Sequence, residues 1–524
     1  MTGKTNAKAV VGSSRKTRNE PEGFHGASCL EARPACLIYL PETSASIEAR
    51  ASLETGVSLE TGVSCEAGVK YIRYTVPSSP APNSAPHPTR FKVKINRLEL
   101  SKLLARELIQ YRSDLDTVLS RPCVYGVFSS PVGGFWAREE HCVGCLRCTV
   151  QHPNIVSILP NPERLDLGDS YISPDLVETL LYEAASGRVP VRGAGYGGGF
   201  GGEGWDGMWT DMSEIVRPTR DGIHGREFIS TAVQLGWKPL MQEFDADGNL
   251  APSDETLIEL PIPVLFDRLP TEDPGAYSAI EAAANSLQTL AVIPAEQLDK
   301  LPAKSESVVP LVKPQEIGRL PVEGQAYRMI ELNGWNSSAY EQIASAFPHA
   351  LVAVRLPVNA DLSEPLEAGV AVFHLTADYH GQTGSGFIME AIRIAHDDLI
   401  ARGIREQITL IGSGGIAAAE HVPKAIIAGL DAVAIETAAL IALQAQFKNE
   451  VRDNADGEID LPDADPDWAE QRLVNLLGSW RDQLLEILGA MGLREVRRLR
   501  GEIGRAMFQA DLEREAFSEI EGYE

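Results

Sequence analysis

From Leu257 to Ile435 the chain alternates between short apolar, β-branched runs and longer stretches of helical periodicity. Strand-like runs lie at Leu257–Leu265, Leu290–Ile293, Val308–Val312, Arg328–Leu332, Leu351–Leu356, Ala371–Leu375, Ile408–Ile411 and Ala432–Ile435. Helix-like runs follow several of them, notably Ala276–Leu287, Ala339–Ala346, Gly386–Ala401 and Ala417–Ala428. An apolar run this short is not a helix, but it suits a strand buried on both faces. Eight such strands with helices between them, in about 180 residues, predict an α/β fold closed as a (β/α)8 TIM barrel. A doubly wound sheet is the competing architecture. The missing first-turn dinucleotide fingerprint counts against it.

The last two strands say most about a ligand. Ile408–Ile411 breaks into Gly412-Ser413-Gly414-Gly415, and Ala432–Ile435 breaks into Glu436-Thr437. Two turns at the carboxyl ends of adjacent parallel strands, each opening a helix, would make a cup of backbone N–H groups suited to phosphate. The plainer alternative is a βαβ unit whose glycines only permit close packing.

At 524 residues the chain has room for two or three domains. A net charge of -26 argues against nonspecific binding to nucleic acid or an anionic membrane. No apolar run approaches the roughly 20 residues of a membrane span. The first 30 residues carry basic positions but no apolar core of a signal peptide, so a cytoplasmic protein is expected.

Residues 1–90 read as a disordered, low-complexity region. They hold a six-residue repeat (Ser52–Val57, Ser58–Val63, Ser64–Val69) and a Pro-rich run from Pro77 to Pro88. Residues 91–190 read as an iron–sulfur segment, 191–460 as the barrel and 461–524 as a helical extension. In that extension Trp468–Met491 and Leu493–Ala516 are amphipathic.

Seven cysteines are too few for a secreted disulfide scaffold. Three of them, Cys142, Cys145 and Cys148, form a CxxCxxC run of the kind that wraps one corner of an iron–sulfur cube. Cys123 is the nearest upstream fourth ligand, with His152 the runner-up. A [4Fe-4S] cluster is favoured, [3Fe-4S] is the three-ligand alternative, and a structural zinc is the plainer reading. Gly193 to Gly204 is glycine-rich but is no Walker loop. Beyond it Arg217, Arg220, His224 and Arg226 lie in a polar segment that sequence alone reads as a solvated face.

Four segments together resemble the FMN-binding glutamate synthase-related proteins, stand-alone counterparts of the synthase domain of glutamate synthase. They are Thr210–Ser230, Leu375–Gly386 (LTADYHGQTGSG), Ile408–Leu440 and Trp480–Phe508. The region of Cys123 and Cys142–Cys148 is similar to the family's ferredoxin-like segment. The resemblance implies a flavin barrel, with the Gly412, Ser413, Gly414, Gly415 turn and the Glu436-Thr437 turn holding the FMN phosphate. It places Arg355 at the flavin's N1–C2 edge, where a cation stabilises the anionic reduced ring. It sets Thr376, Asp378, Gly381 and Gly384 in a loop approaching the ring, and Met212-Ser213 in a turn beside it.

The chain also departs from the family. It lacks a lysine-bearing Gly-Gly-Gln loop for the dicarboxylate, and Gln444 to Asp460 carries no cysteines. No amidotransferase is recognisable, so ammonia is expected from solution or a separate subunit. The resemblance therefore implies an oxidoreductase of the kind acting on CH-NH2 donors. Electrons would pass from a cluster through FMN to an amino-, imino- or keto-acid type substrate, in glutamate biosynthesis or related chemistry. The donor would be a ferredoxin or an NAD(P)H reductase. Arg217, Arg220 and Arg226 are the candidate carboxylate clamp, and His224 and His380 the candidate acids. A flavin and iron–sulfur electron-transfer or scaffold subunit of a larger complex is the second reading.

Overall fold

Eight parallel strands close into a barrel in the computed structural model of the chain. They are β1 (Val264–Phe266), β2 (Ala291–Pro294), β3 (Val308–Val312), β4 (Met329–Asn333), β5 (Leu351–Pro357), β6 (Val372–Thr376), β7 (Thr409–Ser413) and β8 (Ala432–Ile435). The structure describes residues 37–41, 69–73, 88–111, 123–128, 134–191, 201–211, 229–238, 257–302, 305–320, 327–452 and 457–518. Closure comes from β8 beside β1, in register Val433↔Val264, Ala434↔Leu265 and Ile435↔Phe266. Every residue of β2, β3 and β8 is buried. One face fills the barrel and the other lies under helices, which is why the strands read as unbroken apolar runs.

The helices introduced here are α1 (Pro174–Ser186), α2 (Pro274–Leu287), α3 (Ser337–Ala346), α4 (Ile388–Ala401), α5 (His421–Ala428), α6 (Thr437–Ala442) and α7 (Pro466–Ala490). Their starts follow from local chemistry. In α2 the Asp273 carboxylate accepts the Ala276 N–H at 2.9 Å, and Pro274 fills the first turn, where no donor is needed. Asp465 and Pro466 repeat the device in α7. That long helix buries Trp468, Leu473, Leu477, Trp480, Leu484 and Leu488 at helical spacing and packs against α1 and α2. Among the described residues no helix is long and apolar enough to cross a membrane.

Several expectations are corrected. Leu257–Leu265 is two strands, not one: Ile258–Leu260 pairs antiparallel with Val233–Leu235, and β1 joins the barrel. Pro261 and Pro263 between them lack the N–H groups a continuous ladder needs. The extension is not helical throughout. After α7 the chain turns at Gly492 and Gly501 (φ 70° and 72°), and Ala506–Phe508 pairs with Met208–Thr210 before a last helix at Gln509–Phe517. The extension is thereby bound to a strand ahead of the barrel. Within the region read as disordered, Leu37–Pro41 and Val69–Arg73 pair antiparallel. The β-branched and aromatic residues Ile38 and Tyr39 favour a strand there.

Ahead of α1, Phe91–Ile95 pairs antiparallel with Val156–Pro160, and Arg97–Gln110 is a helix. This segment has its own apolar cluster of Phe91, Val93, Val127, Phe128, Cys142 and Val156. Arg164 joins it to the rest by pairing with Asp175 and with Glu178 of α1.

Candidate functional site

The inside of the barrel holds charge. Arg355 of β5 makes a two-pronged ion pair with Asp267, just past β1, at 2.6 and 2.8 Å. Its Nη1 also donates to Glu331 of β4 at 2.9 Å. His374 Nδ1 lies 3.0 Å from the same Glu331 oxygen, and its Nε2 faces Asp267 at 3.7 Å. Asp267, Glu331 and His374 are buried. Burial pushes the Asp267 carboxyl up, but Arg355 and His374 outweigh it and hold the group well below the usual carboxylate range. Burial pushes the Glu331 carboxyl up, but the neighbouring His374 and Arg355 outweigh it and hold the group down. Glu331 Oε2 and His374 Nε2 have no hydrogen-bond partner in the structure.

At the carboxyl ends of β7 and β8 the two turns differ. Each glycine of the first has a packing reason. A Cβ on Gly412 would meet Leu430 at 2.4 Å, one on Gly414 the Asp378 carbonyl at 2.9 Å, and one on Gly415 the Tyr171 hydroxyl at 2.9 Å. Gly415 also has φ 70°. This turn does not open directly into a helix as expected. Residues 416–420 intervene, the Ala417 N–H goes to His421 Nδ1 at 3.1 Å, and α5 starts at His421. The second turn, Glu436-Thr437, is buried, yet among the described residues both Glu436 carboxyl oxygens and Thr437 Oγ1 have no hydrogen-bond partner. Burial first, and then the Asp267 carboxylate, push the Glu436 carboxyl well above its ordinary value.

A strap from ahead of α1, carrying Asp169 and Tyr171, covers this end together with Trp205 from beyond α1. Tyr171 donates to the Gly415 carbonyl at 2.7 Å, and Trp205 Nε1 reaches the Gly414 carbonyl at 3.4 Å. His380 Nε2 lies 2.8 Å from Asp169 Oδ2. Asp169, His380 and Glu450 bring ligand atoms within 4.8 Å of one another. The Asp169 carboxylate already accepts N–H groups from Tyr171, Ile172 and Val451, so this cluster is a tie between strap and barrel. His380 is part of that tie.

The cysteines gather in the segment ahead of α1. Cys123, Cys145, Cys148 and His152 line one cavity of about 540 Å³, and Cys142 is buried in the adjoining core. Leu146, between Cys145 and Arg147, holds φ 58°. That left-handed conformation costs a non-glycine residue about 1 kcal/mol and is typical of a loop shaped around a site. Burial first, and then the neighbouring Cys123 and Cys145, raise the Cys142 thiol. Burial and Cys142 raise Cys148. A bound cation would reverse this, since coordinating thiols deprotonate.

The conserved region in glutamate synthase matches residues 376–494, from the end of β6 through α7. An archaeal-type glutamate synthase [NADPH] of Dehalococcoides mccartyi is 24% identical over 448 residues, 70% of this chain and 86% of the relative. An archaeal glutamate synthase [NADPH] of Archaeoglobus fulgidus is 23% identical over 462 residues, 73% and 90% of the two chains. The chain is similar to glutamate synthases over these stretches. Among solved structures, a pyruvate-bound mutant flavocytochrome b2 is 10% identical, covers 58% of this chain and 76% of its own, and has a TM-score of 0.38, a likeness too loose to argue from.

In this chain the expected residues fall into three groups. Arg355, Thr376, Asp378, Gly381, Gly412–Gly415, Glu436 and Thr437 lie at or near the carboxyl ends of β5 to β8, and Gly384 lies in the β6–α4 loop. Asp378 is turned inward on its loop, accepting the His380 and Gln382 N–H groups at 3.0 and 2.6 Å. Cys123, Cys142, Cys145 and Cys148 form the second group. Met212, Ser213, Arg217, Arg220, His224 and Arg226 lie outside the described residues. Sequence reasoning missed Asp267, Glu331 and His374. Charged residues inside or just past apolar strand runs were the available signal, since a charge buried there needs a partner.

Proposed function

We propose that the chain is an FMN- and iron–sulfur-dependent oxidoreductase acting on an imino- or keto-acid type substrate at the carboxyl mouth of the barrel. The observation that carries this reading is the set of buried polar atoms that have no partner among the described residues, inside the barrel on Glu331 and His374 and at its carboxyl mouth on Glu436 and Thr437. Unpaired buried polar groups are rare, and their clustering at the catalytic end of a barrel fits a missing ligand. The Thr437 hydroxyl and the Glu436 carboxyl suit the phosphate end of FMN, and Ser413 ends the adjacent strand. FMN when bound supplies hydride and single-electron chemistry. Arg355, Asp267, Glu331 and His374 would fix the electrostatic field beneath the ring. The thiols of Cys123, Cys142, Cys145 and Cys148 would hold an iron–sulfur cluster, with [4Fe-4S] favoured by the CxxCxxC spacing. The [NADPH] in the relatives' names points to an NAD(P)H reductase or ferredoxin as electron donor, and ammonia would come from solution or an amidotransferase subunit.

The second reading is a flavin and iron–sulfur relay subunit with no glutamate synthase activity of its own. One observation favours it: the Arg355 guanidinium is committed to Asp267 and Glu331 and cannot also clamp a substrate carboxylate.

Absorbance separates the outcomes. The purified protein should show flavin bands over a broad cluster shoulder at roughly 400 nm. Anaerobic dithionite should bleach it, and 2-oxoglutarate plus ammonium should restore the flavin colour. Failure of every small imino or keto acid to reoxidise it, with other subunits co-purifying, selects the relay. A colourless protein that takes up neither FMN nor iron and sulfide sinks both.

A further inference from the structure

The turn after β8 carries a chemical oddity for a phosphate site. Its first residue, Glu436, is an acid, 1% exposed, with neither carboxyl oxygen hydrogen-bonded by another group. Its neighbour Thr437, also 1% exposed, has a hydroxyl without a partner. A buried carboxylate with no donor is among the costliest groups a fold can hold, so such a group takes up a proton. The charges around Glu436 act the same way on balance. Asp267 past β1 and Asp378 in the loop after β6 repel an anion there, and Arg355 of β5 is the cation that opposes them. Arg355 is already neutralised by Asp267 and Glu331. The remaining titratable groups that sense Glu436 are the phenols of Tyr171 on the strap and Tyr379, both themselves pushed up by burial.

An ionised Glu436 would repel a phosphate, whereas a protonated one offers an O–H donor. Two adjacent hydroxyl donors, the acid's and the threonine's, match the oxygens of a phosphate monoester. We propose that the β8 turn binds its phosphate ligand through a protonated Glu436 together with the Thr437 hydroxyl, so that the bound flavin phosphate holds the proton on Glu436 and is released when that proton is lost. This rests on the FMN reading above and adds a linkage to it: the chain releases FMN as the pH rises. Riboflavin, which lacks the phosphate, would not feel that linkage.

The test is FMN and riboflavin binding to the deflavinated full chain, followed by quenching of flavin fluorescence between pH 7 and 9. The phosphate's own second ionisation, near 6, is complete over most of that range. The wild type should lose FMN affinity with rising pH, by up to tenfold per unit once Glu436 ionises. Riboflavin binding should stay level. Glu436→Gln, which keeps the shape and cannot ionise, should abolish the slope for FMN. A level FMN profile in the wild type, or a slope retained in Glu436→Gln, overturns the proposal and leaves the flavin reading standing. Binding of riboflavin but not FMN at every pH also overturns it, because the turn then rejects phosphate. Binding of neither flavin overturns both readings. A second measurement isolates the acid itself. Because burial raises the Glu436 carboxyl, its contribution to stability is full below about pH 4.5 and declines as pH rises toward the folded-state value. Glu436→Gln should therefore be more stable than wild type at pH 8 and equal to it at pH 4. Equal stability at both pH values contradicts a neutral, unpartnered carboxyl.

Discussion

Both ends of the barrel hold arginines against buried carboxylates, but only one end is satisfied. At the amino end Asp431, just ahead of β8, accepts from Arg405 at 2.8 Å, Arg500 at 2.6 Å and the Leu410 N–H at 2.8 Å. Arg405 goes on to the Ile408 and Gly429 carbonyls at 2.7 Å each and to His396 at 2.9 Å. None of these three ionic side chains has an unpaired buried atom. At the other end Arg355, Asp267, Glu331 and His374 are linked as closely, yet Glu331, His374, Glu436 and Thr437 keep unpaired atoms. A closed network stabilises and specifies a fold, whereas an open one leaves hydrogen-bonding capacity for something that arrives later. This matches the usual division of a (β/α)8 barrel, with stability at the bottom and chemistry at the top.

The largest effect is expected at the bottom. Asp431→Ala leaves Arg405 and Arg500 buried without their acid, and losing one member of a buried pair costs about 3–5 kcal/mol. Denaturant unfolding should show that loss in the midpoint, with the slope unchanged. A loss under about 1 kcal/mol would mean the amino-end network is not what holds the barrel, and the contrast between the ends would fail.

A smaller effect has a definite pH signature. Burial pushes the Asp431 carboxyl up, but Arg405 and Arg500 hold it down to about 2 against an ordinary 3.8. A depressed acid contributes its stability in full above pH 3.8 and loses it as pH falls toward 2. At about 1.4 kcal/mol per unit the limb amounts to about 2 kcal/mol. Unfolding measured from pH 5 to 2 should show it in the wild type and not in Asp431→Asn. The top end should lean the other way through Glu436, whose stability is lost with rising pH.

The contrast also explains what was legible in the sequence. Strand positions follow from burial on both faces, which writes itself as local runs such as Val308–Val312. Cys142, Cys145 and Cys148 are legible because their spacing is short and fixed by chain geometry. Asp267 lies just past β1, and Glu331, Arg355 and His374 come from three other strands; no local pattern brings them together, only barrel closure does. The glycines of Gly412–Gly415 read two ways in the sequence, as a phosphate cup or as close packing, and Leu430, Asp378 and Tyr171 supply packing contacts for them. The split of Leu257–Leu265 and the irregular chain after Gly492 were written in prolines and glycines that an apolar pattern overrides.

The smallest effect is the most discriminating. Thr437→Val replaces the hydroxyl with a methyl group of nearly the same shape and keeps the β-branched start of α6. In the folded chain that hydroxyl is buried with no partner, so removing it should be neutral or stabilise by up to about 1 kcal/mol. The same change removes a donor to a charged phosphate, a bond worth about 1.5–3 kcal/mol, so FMN affinity should fall about tenfold or more. Stability and binding should therefore move in opposite directions, as they do where a site is kept unsatisfied for its ligand. At Asp431, Arg405 and Arg500 no substitution should separate them this way, because among the described residues none of their buried polar atoms lacks a partner. A Thr437→Val chain that unfolds more easily by over about 1 kcal/mol would show that the hydroxyl is already used within the fold. The two ends would then differ only in position, and the β8 turn would be one more closed network.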